Sequence, residues 1–570
     1  MPKRIVIVGG VAAGASAAAK ARRTDEQAQI LVIEKGPYVS FAKCGLPYYL
    51  GGEIASRQAL FVSSPERFAD FFRIETRLNT TVTAISAAAK TVSFLGPDGT
   101  AGTLAYDRLI LADGTVPILP PIPGLDAPNL FHCRTVPDVD GIMARIDGAS
   151  PATATGDKQA LIIGGGYIGL ECAEQLARRG FATTLIEAQE QILGPLDREM
   201  AHLVQVALEA QGTTVVLEDA VAAIQPAGPR AKALLKSGGE VLFDIGIIGA
   251  GVRPNVALAR SAGLSLGQTG AIAVDAHQRT SDPAIFAAGD NSESVFLPTG
   301  TKAHIPLAGP ANKQGRVAGH NAALDLAGTD SADPGRLTMK GVLATAIVRV
   351  GETVAGGTGL TEKLAKRLGI TVASAYVFGN NHAGYYPGAS QILLKLIYDP
   401  ASGRILGAQA VGQDGVDKRL DVMATAIRGR MTVEDLEDLD LSYAPPFGSV
   451  RDVVMMAGFV ASNARRGDSP GASPVDLSRE MTQPDAAILI DVRTAREFAQ
   501  GHVEPSVNIP LNALRGRLSE IPQGRPVRVI CGTGYRSYLA QRILLNSGWT
   551  DVRNVYGGNM LQQRLGRVVS

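Results

Sequence analysis

Two stretches of this chain repeat one pattern, and the pattern leaves little freedom of fold. An apolar run, Lys3 to Val8, meets the turn Gly9-Gly10-Val11-Ala12-Ala13-Gly14; a small-residue segment reaches Arg23, and a second run, Gln29 to Ile33, ends on Glu34. The order returns at Gln159: an apolar run, the turn Gly164-Gly165-Gly166-Tyr167-Ile168-Gly169, a segment to Arg179, the run Ala182 to Ile186, then Glu187. Strand, glycine turn, helix, strand and terminal acid make one βαβ unit. The glycines allow a tight turn and close backbone approach to a pyrophosphate. The helix N-terminus favours the anion, and the acid accepts from a ribose hydroxyl. The first copy departs from the strict pattern, because Val11 stands where the second glycine belongs. Two such units predict two nucleotide-binding domains.

A third segment separates their ligands. Ala287-Ala288-Gly289-Asp290 follows the buried run Ile285 to Ala288, and its aspartate is suited to holding a flavin's ribityl chain. The first site is therefore read as binding FAD and the second as binding NADH or NADPH. Glu187 repels a 2′-phosphate, while Lys158, Arg178 and Arg179 offer compensating charge, so both nicotinamides stay open.

The chain has 570 residues, too many for one core. A formal charge of +1 gives no field for nucleic acid or an anionic membrane surface. No apolar run approaches the ~20 residues that span a bilayer. Four cysteines in this length exclude a disulfide scaffold. The strand beginning at Lys3 leaves no room for a signal peptide, and a cytoplasmic location is expected. Tyr106 to Ala112 and Phe243 to Gly249 read as further buried strands. From about Ala322 alternating runs such as Thr345 to Val350 and Gln391 to Tyr398 suggest an antiparallel sheet with helices. Residues 461–473, polar and small, read as a flexible linker, and a last small α/β domain follows.

Ser40-Phe41-Ala42-Lys43-Cys44-Gly45-Leu46-Pro47-Tyr48-Tyr49 holds a cysteine in a glycine-proline-tyrosine context with no second cysteine near it. With the glycine motifs, His382-Ala383-Gly384-Tyr385-Tyr386-Pro387-Gly388 and Tyr443-Ala444-Pro445-Pro446-Phe447, it resembles the coenzyme A disulfide reductase family across residues 1–460. Beyond the linker, Asp491-Val492-Arg493, Glu497, Gly501-His502-Val503 and Cys531-Gly532-Thr533-Gly534-Tyr535-Arg536-Ser537 resemble a rhodanese. The whole chain is thus similar to the fused reductase–rhodanese branch, which includes coenzyme A persulfide reductases. The fold class expected is α/β: two Rossmann-like domains, an α+β dimerisation domain and an α/β rhodanese domain. The borders expected are 1–118 and 245–321 for the FAD domain, 119–244 for the NAD(P)H domain, 322–460 for the dimerisation domain, and 474–570 for the rhodanese.

The resemblance implies a mixed disulfide between Cys44 and a thiol carrier, regenerated through FAD. Lys43, where the family has asparagine, is a cation able to lower the thiol pKa. The FAD contacts implied are Gly9, Gly10, Ala13, Gly14, Glu34, Lys35, Ser40, Lys43, Val82, Gly114, Gly289, Asp290, Ala308 and Tyr443. Those for the nicotinamide are Gly164, Gly166, Tyr167, Ile168, Gly169, Glu187 and Gly251. Coenzyme A phosphates are expected near Lys20, Arg23, Ser40, Arg73 and Arg451. Tyr443 and Tyr385, preferred over Tyr386 by spacing, are proton donors from a partner subunit in a homodimer. Cys133 and Cys172 read as buried small residues, and no metal site is expected. Asp113 replaces a small neutral or hydroxylated residue, for no reason visible in the sequence.

In the C-terminal loop, Cys531 follows a strand and opens a helix, where backbone N–H groups and the helix dipole favour a thiolate or persulfide. Four residues separate Cys531 from Arg536, which is expected to act with it as a catalytic residue. Tyrosine-phosphatase-like loops use five, and the shorter loop suits a terminal sulfur. His502 and Glu497 read as structural. The activity expected is NAD(P)H-driven reduction of coenzyme A persulfide and related small persulfides or polysulfides. Sulfide is released, and Cys531 transfers sulfur, carried to the flavin site on the linker or by a swinging pantetheine arm. The alternatives are coenzyme A disulfide reduction, an NADH oxidase or peroxidase (disfavoured because Ala12 stands where those relatives place histidine), and a flavin-based redox sensor.

Overall fold

The computed structural model describes residues 3–147, 158–326, 334–483 and 486–569, and the chain divides into two compact units. The first comprises residues 1–190 and 212–344, the second 191–211 and 345–570.

In the first unit the two repeats become two parallel sheets. One orders its strands Ile285–Ala287, Arg108–Leu111, Arg4–Val8, Gln29–Ile33 and Ile74–Arg77. The other orders Thr214–Val216, Ala182–Ile186, Gln159–Ile163, Ile245–Ile248 and Leu130–Phe131. Each sheet is buried on both faces, which is why its strands read as unbroken apolar runs rather than alternating ones. Each repeat also carries a three-stranded antiparallel meander, Thr81–Ser86 to Ala101–Ala105 and Val221–Ala227 to Glu240–Phe243. A two-stranded ribbon, Thr115–Pro117 against Val252–Pro254, crosses between the repeats. The Ala-rich helix Ala12–Thr24 packs against helix Ala308–Leu326 so closely that a methyl on Gly315 would lie 2.2 Å from the Ala13 carbonyl oxygen.

The second unit holds a five-stranded antiparallel sheet ordered Ala346–Val350, Thr353–Gly359, Ile405–Gly412, Gln391–Tyr398 and Ala373–Asn380. Its C-terminal part is a five-stranded parallel sheet centred on Val527–Ile530. Lys395, wholly buried in the antiparallel sheet, donates to Asp197 Oδ2 at 2.8 Å, Glu199 Oε1 at 2.6 Å and Glu362 Oε2 at 2.6 Å. These three carboxylates lie close enough to hold a metal, but the lysine ammonium already occupies their centre.

Three expected borders are corrected. Strand Ile245–Ile248 pairs with Gln159–Ile163 and so completes the second sheet instead of starting the return to the first. Helix Ala308–Leu326 runs through the expected border at 321/322, and Ala322, Ala323 and Leu326 belong to the core of the first sheet. Residues 191–211 join the second unit, tied to it through Asp197. The flexible linker at 461–473 is also corrected. Helix Val453–Arg465 runs into it with Ala461 and Ser462 buried, and Gly471–Ala472 pairs as a strand with Val552–Val555. Its small residues serve close packing: a methyl on Gly471 would meet the Tyr556 ring at 1.9 Å.

Candidate active site

The glycine turns are superimposable in their contacts. Gly10 N–H donates to Glu34 Oε2 at 2.7 Å, and Gly165 N–H to Glu187 Oε2 at 2.7 Å. A methyl on Gly14 would lie 1.8 Å from the Gly9 carbonyl oxygen, and one on Gly169 would lie 2.0 Å from that of Gly164. Gly9 and Gly164 both have positive φ, 96° and 107°. Val11 is thus harmless to the first turn, whose closeness depends on Gly9 and Gly14. Burial pushes the Glu34 carboxyl up, and the backbone donors oppose it.

Of the residues expected around FAD, Ser40 and Gly289 lie against the first turn. Ser40 N–H donates to Gly10 O at 2.8 Å, from a left-handed backbone with φ 48°. A methyl on Gly289 would meet Ala13 Cβ at 2.9 Å. Lys35 adjoins Glu34, Val82 is buried on the meander, and Ala308 opens its helix. Gly114 has positive φ, and its carbonyl accepts from Asn255 N–H at 2.9 Å. The cradle closed to any Cβ at Gly9, Gly14 and Gly289 fits a dinucleotide, and Asn291 Oδ1 is buried without a hydrogen-bond partner among the described residues.

Asp113, unexplained from sequence, has a structural account. Its carboxylate accepts from Asn291 Nδ2 at 2.7 Å and from Asn255 Nδ2 at 2.8 Å. It thereby fastens the Gly289–Asn291 loop to the connection following the crossover strand Val252–Pro254. Loss of water pushes the carboxyl up to about 6, with Asn291 opposing and Glu34 adding to the shift.

Cys44 is exposed and lies in the short helical turn Lys43–Gly45. The protein around its sulfur pushes the thiol up, the Glu171 carboxylate adds to this, and Lys43 pulls it back. Lys43 acts on the thiol in the expected direction, but burial and Glu171 outweigh it. Burial and Arg134 depress the lysine itself, with Asp290 opposing. Sequence reasoning missed Glu171. It follows Gly169 by two positions on helix Tyr167–Arg178 and accepts from Tyr48 Oη at 3.0 Å. Burial pushes its carboxyl up to about 7. It also missed Arg134, which donates to Thr115 O at 2.5 Å. A local signal stands beside Arg134, the helix-start pattern Thr135-x-x-Asp138, whose reciprocal bonds are present. Cys133 and Cys172 are buried as expected, and their mutual hydrogen bond with burial holds the Cys172 thiol well up.

In the second nucleotide turn, Ile168 lies on the helix, burial pushes the Tyr167 phenol up to about 12, and Gly251 has φ 97°. Arg178 pairs with Glu53 at 3.0 Å and Arg179 donates to Leu50 O at 2.6 Å. Lys158 lies over the Phe181 ring. None of these cations is paired with Glu187.

Lys20, Arg23 and Arg316 form a basic cluster. Burial and then the two arginines depress the Lys20 ammonium, and His320 beside them is depressed as well. Arg73 stands apart, its guanidinium turned to Glu26.

In the second unit, the Tyr385 and Tyr443 hydroxyls lie 3.2 Å apart, and that bond raises the Tyr443 phenol. Both rings are exposed beside exposed Phe447 and Val450, and Arg451 is exposed too. Tyr386 instead lies edge-on to His382. In the C-terminal loop, Cys531 Sγ accepts from Gly534 N–H at 3.1 Å and lies 3.2 Å from Ser537 Oγ. The loop is braced from behind, where Asn559 N–H donates to Cys531 O at 2.7 Å.

Comparison with known proteins agrees with this geometry. Residues 3–315 match the pyridine nucleotide-disulphide oxidoreductase model, 346–453 its dimerisation domain and 473–560 the rhodanese-like domain. A crystal structure of reduced CoADR-RHD from Bacillus anthracis is 42% identical, with each chain covered in full and a TM-score of 0.93. A NAD-dependent persulfide reductase from A. fulgidus is 37% identical over 98% of this chain and 99% of that one, with a TM-score of 0.89. The CoA-dependent NAD(P)H sulfur oxidoreductase of Pyrococcus furiosus is 35% identical over 80% of this chain and 98% of its own length. The chain belongs to the pyridine nucleotide-disulphide oxidoreductase family, as an FAD- and NAD(P)H-dependent enzyme with a C-terminal rhodanese-like domain.

Proposed function

We propose that the protein reduces coenzyme A persulfide and related small persulfides at Cys44, releasing sulfide, while Cys531 transfers sulfane sulfur. The observation that carries this reading is the pair of single, separately housed cysteines. Cys44 is exposed in the flavin-binding unit, whose other thiols, Cys133 and Cys172, are buried and hydrogen-bonded to each other, and Cys531 lies in a loop of N–H and O–H donors. Cys44 attacks the inner sulfur of R–S–S⁻; the S–S bond breaks, HS⁻ leaves with the thiol's proton, and Cys44–S–S–R remains. FAD, when bound, relays two electrons from NADH or NADPH to that disulfide, giving the Cys44 thiolate and R–SH. One nicotinamide is oxidised per sulfide released.

The basic cluster Lys20, Arg23 and Arg316, in which burial and then the neighbouring arginines depress Lys20, suits the phosphates of coenzyme A. The exposed Tyr385–Tyr443 pair supports donation of a proton to the departing sulfur across a homodimer interface, with Tyr443 also reaching the partner's flavin. Glu187 with no cation paired to it favours NADH over NADPH. The test is anaerobic NADH and NADPH consumption with sulfide release, comparing coenzyme A persulfide with coenzyme A disulfide. Persulfide turnover should dominate and vanish in Cys44→Ser. Dominant disulfide turnover would move the activity to coenzyme A disulfide reduction.

A further inference from the structure

The sulfur-transfer loop, Cys531 to Arg536, contains one cation, and that cation is already neutralised. Arg536 Nη1 donates to Glu497 Oε2 at 2.8 Å and Nη2 to Oε1 at 2.7 Å, a closed bidentate pair. Glu497 is held in place as well. Thr494 N–H and Oγ donate to its Oε2 at 3.0 and 2.8 Å, in the capping box of helix Ala495–Ala499. The second arginine of this site, Arg493, is spent in the same way on Asp491, at 2.6 Å from Oδ2, and on Gly501 O. The hydrogen-bond donors to the sulfur are neutral, Gly534 N–H and the Ser537 hydroxyl, and Arg536, whose charge is felt at Cys531, carries Glu497 with it.

A site built so offers dipoles to one anionic sulfur and no net side-chain charge to a second anionic group. An organic persulfide, R–S–S⁻, needs only the first; its other charges lie outside the loop. Thiosulfate brings a sulfonate along with its sulfane sulfur and needs both. We infer that Cys531 takes its sulfur from organic persulfides and discriminates against thiosulfate, and that Glu497 is the positioning residue that sets this preference by neutralising Arg536. The inference rests on the sulfur-transfer reading of Cys531. In the favoured reaction Cys531–S⁻ attacks the terminal sulfur of R–S–S⁻, giving Cys531–S–S⁻ and R–S⁻. With thiosulfate the same attack would expel sulfite.

The experiment uses the full-length, FAD-loaded protein without nicotinamide, with cyanide as acceptor and thiocyanate as readout. The donors are the persulfide of 2-mercaptoethanol and thiosulfate. The quantity read is the ratio of their kcat/KM values. Glu497→Gln should raise the thiosulfate share by ~10-fold or more, through a lower thiosulfate KM that added salt reverses. The double variant Glu497→Gln/Arg536→Gln should keep the ratio within ~3-fold of wild type, because both charges leave together, whereas Arg536→Gln alone bares the Glu497 carboxylate and should lower the thiosulfate share. An unchanged ratio in Glu497→Gln, or a thiosulfate gain as large in the double variant as in Glu497→Gln alone, overturns the inference. Thiocyanate formation equal in wild type and Cys531→Ser would instead remove the sulfur-transfer reading beneath it.

Discussion

Asp113→Asn should raise stability near neutral pH, although it replaces a carboxylate that makes two hydrogen bonds. The carboxyl is pushed from 3.8 up to about 6, chiefly because the surrounding protein withdraws it from water, with the Asn291 amide opposing the shift. A shift of about 2 units is worth ~3 kcal/mol against the ionised form. This penalty is fully present above pH 6 and is relieved as pH falls from 6 towards 3.8, where the folded state takes up its proton first. The isosteric amide removes the penalty but presents an NH2 to one of the two amides, losing about 1 kcal/mol. The net gain is therefore ~2 kcal/mol at pH 8 and under ~1 kcal/mol at pH 5. For a unit of this size that is a rise of roughly 4 °C in melting temperature at pH 8, shrinking to roughly 1 °C at pH 5. Flavin fluorescence released on heating reports the opening of this unit specifically, which matters in a chain of several domains. A variant that melts below wild type at pH 8, or whose advantage does not shrink towards acid, would refute the assignment of a strained, ionised carboxylate.

Gly14→Ala should cost FAD and Gly169→Ala should not. Both methyls collide with a carbonyl oxygen, but only the second lies in the nicotinamide turn, so it should retain flavin absorbance while raising the NADH KM by ~10-fold or more. Glu171→Gln should speed Cys44 alkylation by ~3-fold at pH 8, because the carboxylate that raises the thiol is gone. The gap should close below pH 7, where wild-type Glu171, titrating at about 7, is itself neutral. Lys395→Met strands three carboxylates in a buried cage and should lower stability by ~3–5 kcal/mol, seen by circular dichroism as earlier melting of the second unit.

Both nucleotide folds were legible because a doubly covered parallel strand must be apolar throughout, and a pyrophosphate turn must be glycine where a Cβ meets a carbonyl. Those are local demands, written at Gly9, Gly14, Gly164 and Gly169. Cys44 and Cys531 were legible for a related reason, since each is fixed in a short contiguous motif. What the sequence hid was long-range. Glu171 reaches Tyr48 across 123 positions, and Asp113 reaches Asn291 across 178. Nothing local marks such partners. The meanders were missed because strands such as Ala101–Ala105 (AGTLA) carry little apolar pattern.

The linker error has the largest consequence for mechanism. Polar and small residues at 461–473 suggested a tether that could swing Cys531 to the flavin site. Those residues instead bind the domain they precede: Ser469 Oγ donates to Gln541 Oε1 at 2.5 Å, and Gln541 Nε2 to Pro470 O at 2.7 Å. The rhodanese-like domain is further seated on the antiparallel sheet of its own unit. Buried Tyr556 lies 6.2 Å from the Tyr376 ring, and Arg564 covers Phe378 at 5.1 Å. Freeing the domain would expose these aromatic contacts, each worth ~0.5–1.5 kcal/mol beyond its buried area. A domain so seated is not tethered by a free linker at residues 461–473. Under the proposed function, a small thiol, which the loop around Cys531 is suited to load as a persulfide, takes the place of a swinging domain as the sulfur carrier.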